Sequence, residues 1–397
     1  MATQIHQAVK FLFQAGCTSA ELTLTNAHVV TPRECFHGSV LVSDGRIADA
    51  QPGSISMPNV IDCEGDFIIP GLIDLHTDHF ERIVRPRSSV DWPVLPSLVA
   101  HDAQMVAAGI TTIFDSLYVG FTGFGTRSFD TLKKTIVELG NARESKILRG
   151  DHYLHLRCET SMEMMAPMFA AVYPNPIVRL VSLMDHTPGQ RQWRDLEKYV
   201  EMEKRDYHLT EEEITKFLAS SRDRHERLCG PNRARLLAMV VGHSVALASH
   251  DDTTVEHVEE AYGEGIEISE FPTTLLAAEA ARRKGMKIVA GAPNLVLGRS
   301  HSGNVAAEEL ARNDLLDAIA SDYVPASMLL GAFLMHERLG MPLYEAINLV
   351  SLAPAQMTGF HDRGAIETGK RADLVRVKVA HGVPLATMVW REGQRVA

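Results

Sequence analysis

Eight short runs of apolar and β-branched residues, each followed by an amphipathic helical stretch, fill the middle of the chain. A helix between two strands carries the chain back to the same edge of the sheet, so this alternation predicts parallel strands. Eight such units predict an α/β fold of the closed (β/α)₈ barrel type, the TIM barrel. The predicted strands are 72–76, 111–116, 151–159, 177–186, 244–250, 265–272, 287–293 and 317–322.

The two ends of the chain have a different pattern from the middle. Residues 18–69 and 356–397 alternate apolar and polar side chains between turn signals such as Ser43-Asp44-Gly45, which is typical of strands joined by tight turns. Since one end precedes the barrel and the other follows it, they predict one small β-sandwich subdomain built from both. The barrel itself is expected at 70–355.

A charged segment at about 190–240 is longer than one strand-to-strand connection needs. It predicts a helical insertion at the barrel rim, with most of its charges facing solvent. Two helix starts have the spacing of a capping box, in which a threonine precedes a glutamate by three residues. These pairs are Thr210 with Glu213 and Thr253 with Glu256.

Composition excludes several classes of function. The formal net charge of −11 disfavours a broad basic face, and with it nucleic-acid or anionic-membrane binding. Neither a transmembrane run nor a signal peptide at 1–16 is expected, because long apolar stretches are missing. The scattered, odd-numbered cysteines favour reduced thiols, and hence the cytoplasm, over a disulfide framework; a homo-oligomer stays open. The cysteines are Cys17, Cys35, Cys63, Cys158 and Cys229.

Histidines and carboxylates stand at the carboxyl ends of five predicted strands. His76 and Asp78 lie two residues apart after the first strand, so both project to the same side. Strand carboxyl ends meet at one face of a barrel, where enzymes place their catalytic groups. Three imidazoles and three carboxylates can hold one or two divalent ions such as zinc or manganese. The six candidate ligands are His76, Asp78, Glu159, His186, His250 and Asp322.

Each of these residues taken alone has another interpretation, as a hydrogen-bonded structural residue or a helix cap. Their joint placement at five strand ends favours the metal centre. Other histidines fall elsewhere in their predicted elements and are expected to be structural. They are His101, His152, His155 and His243.

Three arginines follow the first two ligands on the same loop: Arg82, Arg85 and Arg87. Arginine forks suit phosphate oxygens, so the cluster predicts contacts to an anionic substrate. The alternative is simple pairing with the nearby acids Glu81 or Asp91. Loops after the fourth and seventh strands offer further anion contacts. These candidates are Gln190, Arg191, Asn294, Arg299, His301 and Ser302.

Several longer motifs resemble those of the amidohydrolase superfamily, over roughly residues 20–395. They are "PGLIDLHTD", "AIASDYVP" and the tail "SLAPAQMTGFHDRGAIETGKRADLVRV". The resemblance implies a barrel of the metal-dependent hydrolase type. Other segments resemble one branch of that superfamily, the α-D-ribose 1-methylphosphonate 5-triphosphate diphosphatases of the carbon–phosphorus lyase pathway for phosphonate metabolism. These segments are "GLIDLHTDHFE", "HDAQMVAAGITTIFDSL", "DHYLHLRCE", "MDHTPGQRQ" and "GAPNLVLGRSHSGN".

This branch implies a hydrolase that releases diphosphate from a phosphorylated ribose and leaves the 5-phosphate. It implies that all six candidate ligands bind one or two divalent ions and that Asp322 orients the attacking water and accepts its proton. Zinc is the expected ion. Manganese and magnesium are alternatives, because Asp78 replaces the second histidine of the usual His-x-His pair and makes the site richer in oxygen.

Two further departures from the superfamily pattern concern the later ligands. Glu159 stands where a carboxylated lysine commonly bridges two metals. His186 and His250 fall on the fourth and fifth predicted strands, one strand earlier than usual. Either the strand count is off by one, or His250 is not the ligand that the resemblance leads us to expect.

Two other functions stay open at this stage. An amidohydrolase that cleaves a C–N bond, in an amide or cyclic amide, would use the same metal centre but would leave the arginine cluster unexplained. A non-catalytic scaffold is the other possibility. The presence of all six candidate ligands, and of Asp322 in particular, argues against it.

Overall fold

A computed structural model describes residues 22–56, 60–87, 90–120, 129–207, 209–300 and 303–397. Its amino-terminal part is a set of strands that precedes the barrel. These are β1 (Leu22–Val30), β2 (Cys35–Ser43), β3 (Arg46–Pro52), β4 (Ile61–Asp62) and β5 (Phe67–Pro70).

The next eight strands are parallel and pair in chain order, which confirms the predicted barrel. All eight overlap the runs predicted from the sequence. They are β6 (Leu72–Thr77), β7 (Ile110–Val119), β8 (Asp151–Glu159), β9 (Val178–Met184), β10 (Ala246–His250), β11 (Ile268–Glu270), β12 (Lys287–Gly291) and β13 (Ala318–Ala320).

The seam between the first and last barrel strands closes at the residues predicted to bind metal. The backbone N–H of Asp322 donates to the carbonyl of His76 at 2.9 Å, and the N–H of Asp78 donates to the carbonyl of Asp322 at 2.7 Å. Below this seam the interior is filled by apolar side chains such as Ile73, Leu75 and Phe114. The barrel is therefore a packed core with an open mouth.

Strands from both ends of the chain join in one subdomain, as predicted. The carboxyl-terminal strands are β14 (Leu374–Ala380), β15 (Val383–Arg391) and β16 (Gln394–Arg395). They continue the amino-terminal strands in the order β16-β15-β14-β5-β1-β2-β3, with β4 beside β1. Two packed sheets were expected, whereas the hydrogen bonds make one mixed sheet, because β5 pairs with β14 on one side and β1 on the other.

Helices cover the barrel between its strands. They are α1 (His79–Val84), α2 (Val94–Ala107), α3 (Phe129–Glu144), α4 (Met165–Val172), α5 (Leu196–Tyr207), α6 (Glu211–Val240), α7 (Val255–Gly263), α8 (Leu275–Arg283), α9 (Ala292–Leu297), α10 (Ala307–Arg312), α11 (Ser327–Leu339), α12 (Leu343–Asn348) and α13 (Leu352–Met357). Within the described ranges, no helix is both long and apolar enough to cross a membrane.

The helices α5 and α6 occupy the segment where an insertion was predicted. Thr210 and Glu213 form the expected capping box at the start of α6. At α7 the prediction was off by one residue, because Thr254 caps the helix by accepting from the N–H of His257. Thr253 hydrogen-bonds the hydroxyl of Thr273 instead.

Candidate metal centre

The carboxyl ends of the barrel strands open into one cavity of about 1260 Å³. All six ligands predicted from the sequence line it. Their arrangement divides them into two groups with different partners, described below as site A and site B.

A β-bulge turns the first histidine into the cavity. Ile73 and Leu75 both pack inside the barrel, so regular alternation would point His76 outward. Between Asp74 and Thr77, β6 has one more residue than β7, and such an extra residue re-aims the side chains that follow. As a result, His76 Nε2 lies 3.6 Å from a carboxylate oxygen of Asp78.

Site A consists of His76, Asp78 and Asp322, whose ligand atoms all lie within 4.8 Å of one another. Asp322 has a backbone φ of 54°, a left-handed conformation that aspartate tolerates better than most side chains. Hydrogen bonds to β6 and its following residue hold that backbone on both sides. The carboxylate of Asp322 is therefore presented from a fixed position.

Site B consists of His186, His250 and Asp251, again with ligand atoms within 4.8 Å of one another. One oxygen of Asp251 lies 3.4 Å from Nε2 of His250 and 3.7 Å from Nε2 of His186. Asp251 directly follows β10 and was not predicted. All three imidazoles of sites A and B thus present Nε2 to carboxylates, as ligands of a shared cation would.

Glu270, at the end of β11, orients two of these imidazoles from below. Its buried carboxylate contacts Nδ1 of His76 at 2.7 Å and Nδ1 of His250 at 2.6 Å. A third hydrogen bond comes from the hydroxyl of Ser182. A carboxylate at Nδ1 fixes the ring and leaves Nε2 as the metal ligand.

Glu159 has the same relation to His186. It contacts His186 Nδ1 at 2.6 Å and accepts from the backbone N–H of His186. The hydroxyls of Tyr118 and Ser161 donate to it as well. These four groups contact both oxygens of Glu159, which lies behind the imidazole of His186. The sequence analysis expected Glu159 to bind metal itself.

The electrostatics of the mouth favour a cation. Burial alone would lower the pKa of His76, but the charge of Glu270 and the contact with Asp78 raise it to about 10. Burial opposes ionisation of Glu270 too, yet the surrounding histidines hold its pKa well below the usual range. Imidazole nitrogens among carboxylate oxygens are donors that fit a borderline divalent ion such as zinc or manganese.

Three of the four histidines set aside as structural are buried in hydrogen-bonded networks, whereas His243 is exposed and its ring lies 5.4 Å from that of Tyr173. His101 and His152 each contact one oxygen of Asp115 at 2.8 Å. His155 contacts the carbonyl of Leu75 and the hydroxyl of Ser182, and burial lowers its pKa to about 3.

The three-arginine cluster is only partly in the cavity. Arg82 and Arg85 line it, and Arg87 does not. The guanidinium of Arg82 lies 5.2 Å from the ring centre of Tyr323. Arg85 forms an ion pair with Asp91 at 2.8 Å, which is the alternative that the sequence left open.

The other predicted anion contacts divide in the same way. Asn294 and Arg299 line the cavity. Arg191 is buried and donates to the carbonyl of His250 and to Asp252. Its charge is therefore paired with Asp252 within the protein and does not face the substrate. The Gln190 amide donates to Asp185. His301 and Ser302 lie outside the described residues.

Arg157 is a cavity residue that the sequence analysis missed. It lies on β8 two residues before Glu159, and one of its terminal nitrogens donates to both oxygens of Asp78 at 2.8 Å. Its side chain is only 10% exposed. The signal was present, since residues two apart on a strand share a face. Arg157 therefore puts a fixed positive charge beside site A.

Comparison with known proteins agrees with this geometry. A model of the amidohydrolase family matches residues 191–396, just over half of the chain. The α-D-ribose 1-methylphosphonate 5-triphosphate diphosphatase of Escherichia coli (strain K12) is 41% identical over 379 residues, which cover 94% of this chain and 100% of that protein. The chain belongs to the amidohydrolase family.

Solved structures of other proteins share the fold of this amidohydrolase. N-acetyl-D-glucosamine-6-phosphate deacetylase of Mycobacterium smegmatis aligns with a TM-score of 0.64 and 16% identity, over 95% of this chain and 100% of that one. N-isopropylammelide isopropylaminohydrolase of Burkholderia multivorans aligns with a TM-score of 0.62 and 15% identity, over 94% and 97%. At such identities the likeness shows the barrel alone.

The strand count of this amidohydrolase agrees with the sequence analysis. His186 follows the fourth barrel strand and His250 ends the fifth, so the departure from the usual superfamily positions is not a counting error. Both histidines share Asp251 as a neighbour. The sixth strand ends in Glu270, which the sequence analysis missed although it applied the same carboxyl-end pattern to five other strands.

Proposed function

We propose that this amidohydrolase releases diphosphate from α-D-ribose 1-methylphosphonate 5-triphosphate and leaves the ribosyl 5-phosphate, as a step of phosphonate catabolism. Two facts support the substrate. The Escherichia coli relative is named as the diphosphatase for this substrate, and the similarity extends over that protein's whole length. The cavity also has the charges that a triphosphate requires.

The placement of basic side chains is the observation that carries the proposal. In a chain of net charge −11, six cationic residues line the same cavity as sites A and B. A triphosphate has several negative charges to neutralise, whereas an amide has none. One arginine guanidinium can donate two parallel hydrogen bonds to two oxygens of a phosphate. The six are Arg82, Arg85, Lys134, Arg157, Arg224 and Arg299. Arg85 and Arg157 also pair with Asp91 and Asp78, so the other four are the charges with most freedom to bind the substrate.

We assign the metal ligands to sites A and B, with Glu159 and Glu270 orienting the histidines. Divalent ions supply Lewis acidity at phosphoryl oxygens and make water more acidic. Three imidazoles with three aspartates favour zinc, with manganese next and magnesium third. The metal count, one or two, follows from whether both sites fill.

The chain's own residues divide the remaining work. Asp322 holds the attacking water through a carboxylate fixed by its backbone bonds to β6 and accepts the water's proton. Arg157 stays charged beside Asp78 and stabilises negative charge on the α-phosphoryl oxygens. Arg82 and Arg299, nearer to solvent, bind the departing diphosphate.

The proposal is tested by offering metal-loaded protein two substrates and following both by NMR. ³¹P spectra should show diphosphate and a 5-phosphate forming from the ribosyl triphosphate, and an N-acetylated amino sugar should stay intact. Asp322→Asn should abolish diphosphate release. Asp314→Asn is the matched control, since Asp314 has a similar φ of 55° but is exposed and does not line the cavity.

Other outcomes would assign the chain differently. Amide cleavage without diphosphate release would make it a C–N hydrolase. No turnover of either substrate by metal-loaded protein would favour a non-catalytic scaffold.

The four cysteines among the described residues are free, and we therefore also propose that the enzyme acts in the reducing cytoplasm.

A further inference from the structure

Three potential metal ligands of different chemistry meet outside the cavity, between β9 and the insertion. They are Asp185, the residue after β9, and His225 and Cys229 on α6. His225 and Cys229 are four residues apart, so both project from the same face of the helix. None of the three lines the cavity of sites A and B.

The ligand atoms are close enough for one ion. Nδ1 of His225 lies 2.6 Å, and the sulfur of Cys229 3.7 Å, from the same oxygen of Asp185. The three atoms lie within 4.8 Å of one another. Ligands of one tetrahedral zinc ion are about 3.3 to 3.8 Å apart, given bond lengths of about 2.0 to 2.3 Å. The histidine and aspartate atoms would have to separate by about an ångström or less.

The geometry points to a second metal site, distinct from the catalytic centre, that binds zinc through Asp185, His225 and Cys229. A thiolate, an imidazole and a carboxylate form a softer set than sites A and B, and sulfur selects zinc over magnesium or manganese. As the ion binds, the thiol proton and the proton between Asp185 and His225 leave to solvent.

A route and a fourth ligand are available. The His225 side chain is 35% exposed and Cys229 is half-buried, so an ion can enter from the surface of the insertion. The amide of Gln190 contacts both Asp185 and His225. These contacts are made by the amide nitrogen, so a water, or the amide oxygen after rotation of the side chain, can complete four-coordination.

The position of this site gives it a structural consequence. Asp185 immediately precedes His186 of site B, and α6 belongs to the helical insertion. An ion here would fasten the insertion to the end of β9, next to a catalytic ligand. It would also add one metal ion per chain beyond those that the reaction uses.

Cobalt(II) is the probe, because a thiolate bound to cobalt gives a charge-transfer band in the near ultraviolet and oxygen or nitrogen ligands do not. Full-length protein is stripped with a chelator and titrated with cobalt. We expect the band in the wild type, its loss in Cys229→Ser and its retention in Cys35→Ser, the matched control at an exposed thiol. Zinc should abolish the band by competition.

A wild type without the band at saturating cobalt, or a band that persists in Cys229→Ser, would overturn the inference and leave a hydrogen-bonded cluster. If Cys229→Ser does not fold, His225→Ala replaces it and should weaken cobalt binding at the band at least tenfold. These measurements involve no turnover, so their failure would be independent of the proposed diphosphatase activity.

Discussion

Glu270→Gln should weaken metal binding without removing a ligand. The carboxylate of Glu270 hydrogen-bonds Nδ1 of His76 at 2.7 Å and Nδ1 of His250 at 2.6 Å. Glutamine keeps the size of the side chain but has one acceptor oxygen, and its amide N–H₂ would face the other ring. One imidazole therefore loses the partner that fixes its orientation.

The magnitude follows from that count. Removing one orienting partner of a metal-bound histidine typically lowers metal affinity by about 10–100-fold, or about 1.4–2.7 kcal/mol. The measurement is a competition for zinc between the protein and a chromophoric chelator at about pH 7. Glu267→Gln, three residues earlier at an exposed position, is the control and should bind as the wild type does.

A urea unfolding curve of Glu270→Gln separates loss of metal affinity from loss of the fold. Folded Glu270→Gln protein with unchanged zinc affinity would refute the reasoning, because His76 and His250 would then not be ligands oriented through Nδ1.

Three further predictions concern the cavity, the pH dependence of stability and the core. Arg299→Ala should raise the KM for the triphosphate about tenfold by removing a charged hydrogen bond, whereas Arg87→Ala, outside the cavity, should leave kinetics unchanged. Although burial opposes it, pairing with Asp115 and Asp102 raises the pKa of His152 from 6.5 to about 9. Its stabilisation is therefore complete below about pH 6.5 and is lost as pH rises through about 9, so urea midpoints should fall over that range more in the wild type than in His152→Gln. Phe114→Ala should cost about 3–5 kcal/mol of unfolding free energy by urea titration, since this ring is fully buried inside the barrel.

The barrel could be predicted because its signals are local. Each strand is a short apolar run between helical segments, and hydrophobic periodicity reports such runs directly. The predicted strand 151–159 matches β8 to the residue, while the predicted 265–272 is only Ile268–Glu270 in the structure. Strand ends depend on pairing with neighbours, which the sequence does not contain.

The candidate site was predictable where it followed from strand position and not where it depended on local backbone. Placement at carboxyl ends predicted that His76, His250 and Asp322 lie at the mouth of the barrel, but the bulge in β6 and the left-handed backbone of Asp322 could not be read from the sequence. The role of Glu159 required knowing that His186 folds back onto it. Asp251 is aimed at the histidines by a left-handed backbone after β10, for which hydrophobic alternation gives no signal.

The arginines show the same limit. Residue type and spacing predicted an anion site on the first loop, but Arg85 pairs with Asp91 and Arg191 with Asp252. Whether an arginine is available to a substrate depends on which acid the fold brings next to it. Arg157 was missed although it shares a face of β8 with Glu159.

The most direct test of the account is the fate of oxygen from water. Metal-loaded enzyme is given the ribosyl 5-triphosphate in ¹⁸O-labelled water, and the products are examined by ³¹P NMR for the isotope shift. Attack at the α-phosphorus, with Asp322 as base, predicts the label in the 5-phosphate and none in diphosphate. Label in the diphosphate, or release of single phosphates, would contradict it.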